Sequence, residues 1–62
     1  MIVATLKNLK DNSEFFLNLQ RLRTKYTLLR LDKKTKTATF ESQRSHRTWE
    51  KDWETKCFIK NH

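Results

Sequence analysis

Residues 11–24 read Asp11-Asn12-Ser13-Glu14-Phe15-Phe16-Leu17-Asn18-Leu19-Gln20-Arg21-Leu22-Arg23-Thr24, and the period of this stretch decides whether the chain contains a helix. Asp11 stands three residues before Glu14, the spacing of a capping box, in which each side chain serves the other's backbone N–H. Phe15, Leu19, Leu22 and Tyr26 then follow at steps of four, three and four, with Phe16 beside them, as in one apolar stripe of a helix. Arg21, Arg23 and Lys25 fall in the last turns, where cations complement the helix dipole. Alternation of Phe15, Leu17 and Leu19 would suit a strand, but its continuation points Arg21 and Arg23 inward. The stretch is therefore expected to be a helix over residues 12–24.

Outward from it, the flanking segments read as strands. Met1 to Lys7 is short, apolar and β-branched, and Asn8 bounds it. Tyr26 to Gln43 reads as a β-hairpin: residues 26–31 and 36–41 flank Asp32-Lys33-Lys34-Thr35, where Asp32 suits the first turn position. A two-residue tip at Lys33 and Lys34 would set Leu29 opposite Ala38 and Thr27 opposite Phe40, and would bury Thr27, Leu29, Leu31, Ala38 and Phe40. A longer loop through Lys36 is the other option. Residues 44–47 form a polar connection. Residues 55–60 are expected to be a strand, while 48–54 fit either type: a strand places Trp49, Lys51 and Trp53 on one face, and a helix aligns Trp49, Trp53 and Cys57. The resulting expectation is an α+β domain, a small antiparallel sheet of three to four strands with one α-helix packed on one face, spanning residues 1–62 as a single unit.

Composition narrows the function. With 62 residues there is room for one domain and no large cleft. A domain of this size buries only about 60% of its unfolded surface, so it depends on tight packing or a partner, and a homodimer is one such option. Cys57 is the sole cysteine, which excludes an internal disulfide, and with two histidines it makes a tetrahedral zinc site improbable. The chain has no glycine and no proline. A phosphate-cradling glycine loop is thereby excluded, and any left-handed backbone position must fall to Asn8, Asn12, Asn61 or an aspartate. No cofactor and no metal are called for. The first apolar run is too short for a signal peptide, and no run is long enough to span a membrane, so a cytoplasmic protein is expected.

Charge supplies the functional signal. Residues 21–47 carry Arg21, Arg23, Lys25, Arg30, Lys33, Lys34, Lys36, Arg44 and Arg47 against only Asp32 and Glu41, which accounts for the whole net charge of +7. Such concentration is the footprint of a nucleic-acid partner, because phosphate neutralisation with counterion release supplies most of the affinity. The bland reading is a solvated face that keeps the protein soluble. Tyr26, Trp49 and Trp53 are candidates for stacking on bases or for anchoring a protein interface. Glu50, Asp52 and Glu54 read as partners for nearby cations rather than as metal ligands. The leading expectation is thus a small basic accessory or regulatory protein, of phage or mobile-element type, that contacts mainly the phosphate backbone of DNA or RNA. The alternatives are an inhibitor that binds an acidic surface of a host enzyme and a tiny ribonuclease using His46; no catalytic residue is assigned.

Overall fold

The chain resolves into six short strands: Ile2–Thr5 (β1), Glu14–Phe15 (β2), Tyr26–Asp32 (β3), Thr37–Ser42 (β4), Thr48–Asp52 (β5) and Lys56–Ile59 (β6), with one 3-10 turn at Leu6–Asn8. These come from a computed structural model that describes residues 1–20 and 22–60. All pairing is antiparallel. One sheet has the order β2-β3-β4-β5 and the other pairs β1 with β6. A bridge joins them, where Phe16 and Phe58 exchange both backbone hydrogen bonds at 2.8 Å. On the far side the Leu6 N–H donates to the Thr55 carbonyl at 3.1 Å and the Lys7 N–H to the Trp53 carbonyl at 2.8 Å. The two sheets therefore wrap around one core made by Leu6, Leu9, Phe15, Leu28, Ala38, Phe40 and Cys57. Phe15, Tyr26 and Phe40 form its aromatic centre, with ring centroids 5.3–5.7 Å apart.

No α-helix is present among the described residues, so the expected α+β fold gives way to an all-β one. The error lies in residues 12–24. Asn12 is left-handed at φ 70°, which breaks a helix at its first turn. The Asn12 N–H donates to the Leu28 carbonyl at 2.7 Å, and the Leu28 N–H returns to Ser13 at 2.9 Å. Glu14 makes no capping box; its carboxylate accepts from Gln43 Nε2 at 2.6 Å. Further on, Asn18 Oδ1 accepts the Gln20 N–H at 2.8 Å, the local bond that makes asparagine a poor residue inside a helix. Leu19 and Leu22, half of the expected stripe, are half exposed. A helix this short is marginal without a face to bury. Pairing with β3 instead satisfies the backbone at once and sends Phe15 into the core.

The hairpin is present, with the longer loop. Asp32 faces Thr37, and residues 33–36 form the turn. Asp32 Oδ1 accepts the Lys34 N–H at 2.9 Å, the local bond for which aspartate suits this position. Register differs from the two-residue-tip alternative in two steps: the four-residue turn shifts the pairing by two residues, which keeps the faces, and Leu29, an extra residue between the pairs Leu28–Phe40 and Arg30–Thr39, then exchanges them. A bulge lets two neighbours point outward together. Tyr26, Leu28, Leu31, Ala38 and Phe40 consequently share the inner face, while Thr27, Leu29 and Arg30 lie outside. Residues 48–54, which fitted either type, hold β5 and a turn at Trp53–Glu54, and β6 lies within the expected strand 55–60.

Left-handed backbone marks both tight turns of the β3-β4-β5 meander. Lys36 (φ 56°) precedes β4 and His46 (φ 60°) precedes β5. At the second turn the His46 N–H donates to the Ser42 carbonyl at 2.8 Å, and the Ser42 N–H donates to Arg47 at 2.9 Å, so Ser42 opposes two residues. This is a bulge that ordinarily carries glycine at its left-handed position. Lacking glycine, the chain places a lysine and a histidine there.

Candidate nucleic-acid interface

Strand pairing sorts the charges by face. Paired residues across antiparallel strands point the same way. The pairs Glu14–Thr27, Thr27–Glu41, Glu41–Thr48, Thr39–Glu50, Asp32–Thr37 and Thr37–Asp52 all lie on the outward side of the four-stranded sheet. Five carboxylates thus share that side. Arg30 stands among them opposite Thr39, and Lys25 Nζ reaches to 4.0 Å from Glu14. His46 Nδ1 lies 3.9 Å from the Glu41 carboxylate.

The opposite side has another character at its open edge. Among the described residues β5 has no neighbour beyond it in the sheet, so its inner-facing side chains are only partly covered. Trp49 pairs with Phe40 and Lys51 with Ala38, which assigns both to the inner face. Trp49 is nevertheless 46% exposed. Arg47 takes the position opposite Ser42, two residues before Trp49, and by alternation belongs to the same face. Arg47, Trp49 and Lys51 therefore form a row of cation, indole and cation at spacings of roughly 6.7 Å along the strand.

A groove runs beside this row. One part, about 440 Å³, is lined by Thr24, Tyr26, Ser42, Arg44, Ser45 and Trp49. The adjoining part, about 200 Å³, is lined by Leu17, Tyr26, Phe40, Trp49 and Lys51. Tyr26 and Trp49 belong to both. Tyr26 is held by edge contact with Phe40 and by stacking on Phe15. Among the described residues, Arg44, Arg47 and Lys51 have no carboxylate within 4.0 Å. A third depression, of about 270 Å³, lies near the Phe16 bridge with Lys25 and Lys60 on its rim, but Glu14 also lines it and it has no exposed ring.

The cations expected to act together divide between the two ends of the sheet. Arg23, Lys25, Arg44 and Arg47 belong to the end where β3 starts and β4 finishes. Arg23 lies in a turn rather than at a helix terminus, and Arg21 lies outside the described residues. Lys33, Lys34 and Lys36 occupy the opposite end, a strand length of roughly 20 Å away. Trp53 is also at that end. Its N–H donates to the Lys36 carbonyl at 2.9 Å, and its side chain packs on the core, so it does not join Trp49. Of the acidic cluster in the tail, Glu54 pairs with Lys7 at 2.7 Å and Asp52 Oδ1 accepts the Glu54 N–H at 2.8 Å. Among the described residues no three His, Cys, Asp or Glu side chains gather as a metal-ligand set, and no helix is long and apolar enough to cross a membrane.

Lys51 is the site residue that charge counting along the chain passes over, because its segment is neutral in sum. The signal that finds it is the strand reading of residues 48–54, which sets Trp49 and Lys51 on one face. Comparison of the chain with family models, with curated proteins and with solved structures gives no match. The chemistry of the groove is what indicates a function.

Proposed function

We propose that the protein binds nucleic acid, mainly through phosphates, along the groove that Arg44 and Lys51 line, with Arg47 beside it on the edge strand. One observation carries this reading. The carboxylates of the four-stranded sheet collect on its outward side, whereas Arg44, Arg47 and Lys51 stand beside exposed aromatic surface with no carboxylate within 4.0 Å among the described residues. Cations kept only for solubility have no reason to be sorted in this way. The Lys33–Lys36 turn adds attraction at a distance, which steers a polyanion without holding it. The free, buried thiol of Cys57 suits a reducing compartment, and we place the protein in the cytoplasm.

Titration of a labelled oligonucleotide by fluorescence anisotropy at several salt concentrations tests the proposal. Three or four phosphate contacts give a slope of log K against log salt of about −2 to −4. Arg44→Glu combined with Lys51→Glu should abolish most of the binding. Absence of binding to single strands and duplexes alike at low salt would dispose of the reading.

A further inference from the structure

We infer that the groove takes single-stranded nucleic acid, with a base stacked on Trp49 and the neighbouring phosphates held by Arg47 and Lys51; this rests on the reading above and narrows it to one substrate class. Three features point to a single strand.

The first is the exposed indole. A Trp on the inner face of a sheet normally completes the core, and Trp53 packs there at the other end of the sheet. Trp49 instead leaves nearly half its surface open, above a floor of Tyr26 and Phe40. A duplex conceals the faces of its bases, so an aromatic platform gains nothing from it, whereas a single strand offers a π-face at every base.

The second feature is order. The open edge strand presents cation, aromatic and cation at alternate residues, so a strand laid along it meets a cation on either side of a stacked base. Any base suits such a platform, so the site reads no sequence.

The third is shape. The molecule measures only 31 × 24 × 17 Å. Trp49 lies in a groove between the edge strand and Leu17, on the inner side of the sheet. A duplex is about as wide as the whole protein is thick and would meet the rim alone. Among the described residues there is also no helix to enter a major groove.

The test uses the full chain carrying Trp53→Phe, so that Trp49 is the only fluorophore of its kind. Oligothymidylate and oligouridylate are titrated against a duplex of equal length at one salt concentration. Trp49 emission should be quenched in proportion to single-strand binding by either polymer, with the duplex bound at least about tenfold more weakly. Trp49→Ala should weaken single-strand binding by roughly 5- to 100-fold, with Trp49→Phe retaining most of the affinity. Because Trp49 is on an open edge, circular dichroism of both variants should match the parent. Two outcomes overturn the inference while leaving phosphate binding intact: a duplex bound as tightly as a single strand, or an unchanged affinity in Trp49→Ala. Quenching that depends on protein concentration without nucleic acid would assign the indole to a second copy and equally refute it. Failure to bind any of the three polymers would remove the functional proposal itself.

Discussion

Replacing His46 by glycine should make the protein more stable. His46 is left-handed at φ 60° in a bulge that glycine would occupy without strain. A side chain bearing a Cβ costs roughly 1–2 kcal/mol in that conformation. Glycine recovers this cost but loses about 0.5–1 kcal/mol through the greater freedom of the unfolded chain. The side chain itself contributes little, being 78% exposed and 3.9 Å from the Glu41 carboxylate. The balance is a gain of up to about 1.5 kcal/mol, and for a domain of this size each kcal/mol moves the midpoint by about 4–8 °C. Thermal denaturation followed by circular dichroism should show His46→Gly melting above the parent and His46→Ala melting close to it. Lys36→Gly should add a similar increment, because the two turns lie at opposite ends of the sheet and share no partner. Thr39→Gly, in the middle of β4, serves as the control and should destabilise. The argument from backbone strain is wrong if His46→Gly loses stability as Thr39→Gly does.

Burial pushes the Cys57 thiol up to about 11 from an ordinary value of 9.0. The unfolded thiol therefore ionises first: the stability Cys57 contributes is complete below about pH 9 and is lost as pH rises towards 11. At pH 8 a thiol-reactive aromatic disulfide should label the protein only as fast as it opens, and rapid labelling under native conditions would contradict the buried placement. At the turn, Lys33→Glu with Lys34→Glu should slow association and lower the salt dependence while leaving the dissociation rate nearly unchanged, as stopped-flow fluorescence would report. A large increase in dissociation rate would move the binding site to that end of the sheet.

The hairpin, the N-terminal strand and the final strand were legible because their signals are local. Asp32 at a turn start and β-branched residues on either side need no distant partner to be read. Residues 12–24 were misleading because their helical period is real while the competing interaction is not local. Ser13 and Asn12 bond to Leu28, fifteen or more residues away, and nothing within the segment announces that pairing. Leu29 shows a similar limit. Simple alternation assigned it to the core, but one extra residue in β3 reverses the faces between Leu28 and Arg30. Asn12 is legible as a left-handed position because asparagine tolerates that backbone; Lys36 and His46 are not, since their conformation is imposed by the turns they close. For the site, the concentration of cations was plain in the sequence. Their division between two ends of a sheet, and the recruitment of Lys51 by Trp49, depend on strand order and emerge only with the fold.

The account stands on where a polyanion touches the protein. Backbone amide shifts recorded while a short oligothymidylate is added should move for Thr24 to Tyr26 and for Ser42 to Lys51, around the groove, with little change at Thr27, Asp32 and Thr37 on the carboxylate-bearing side. Shifts centred on Lys33 to Lys36, or spread evenly over both faces of the sheet, would contradict it.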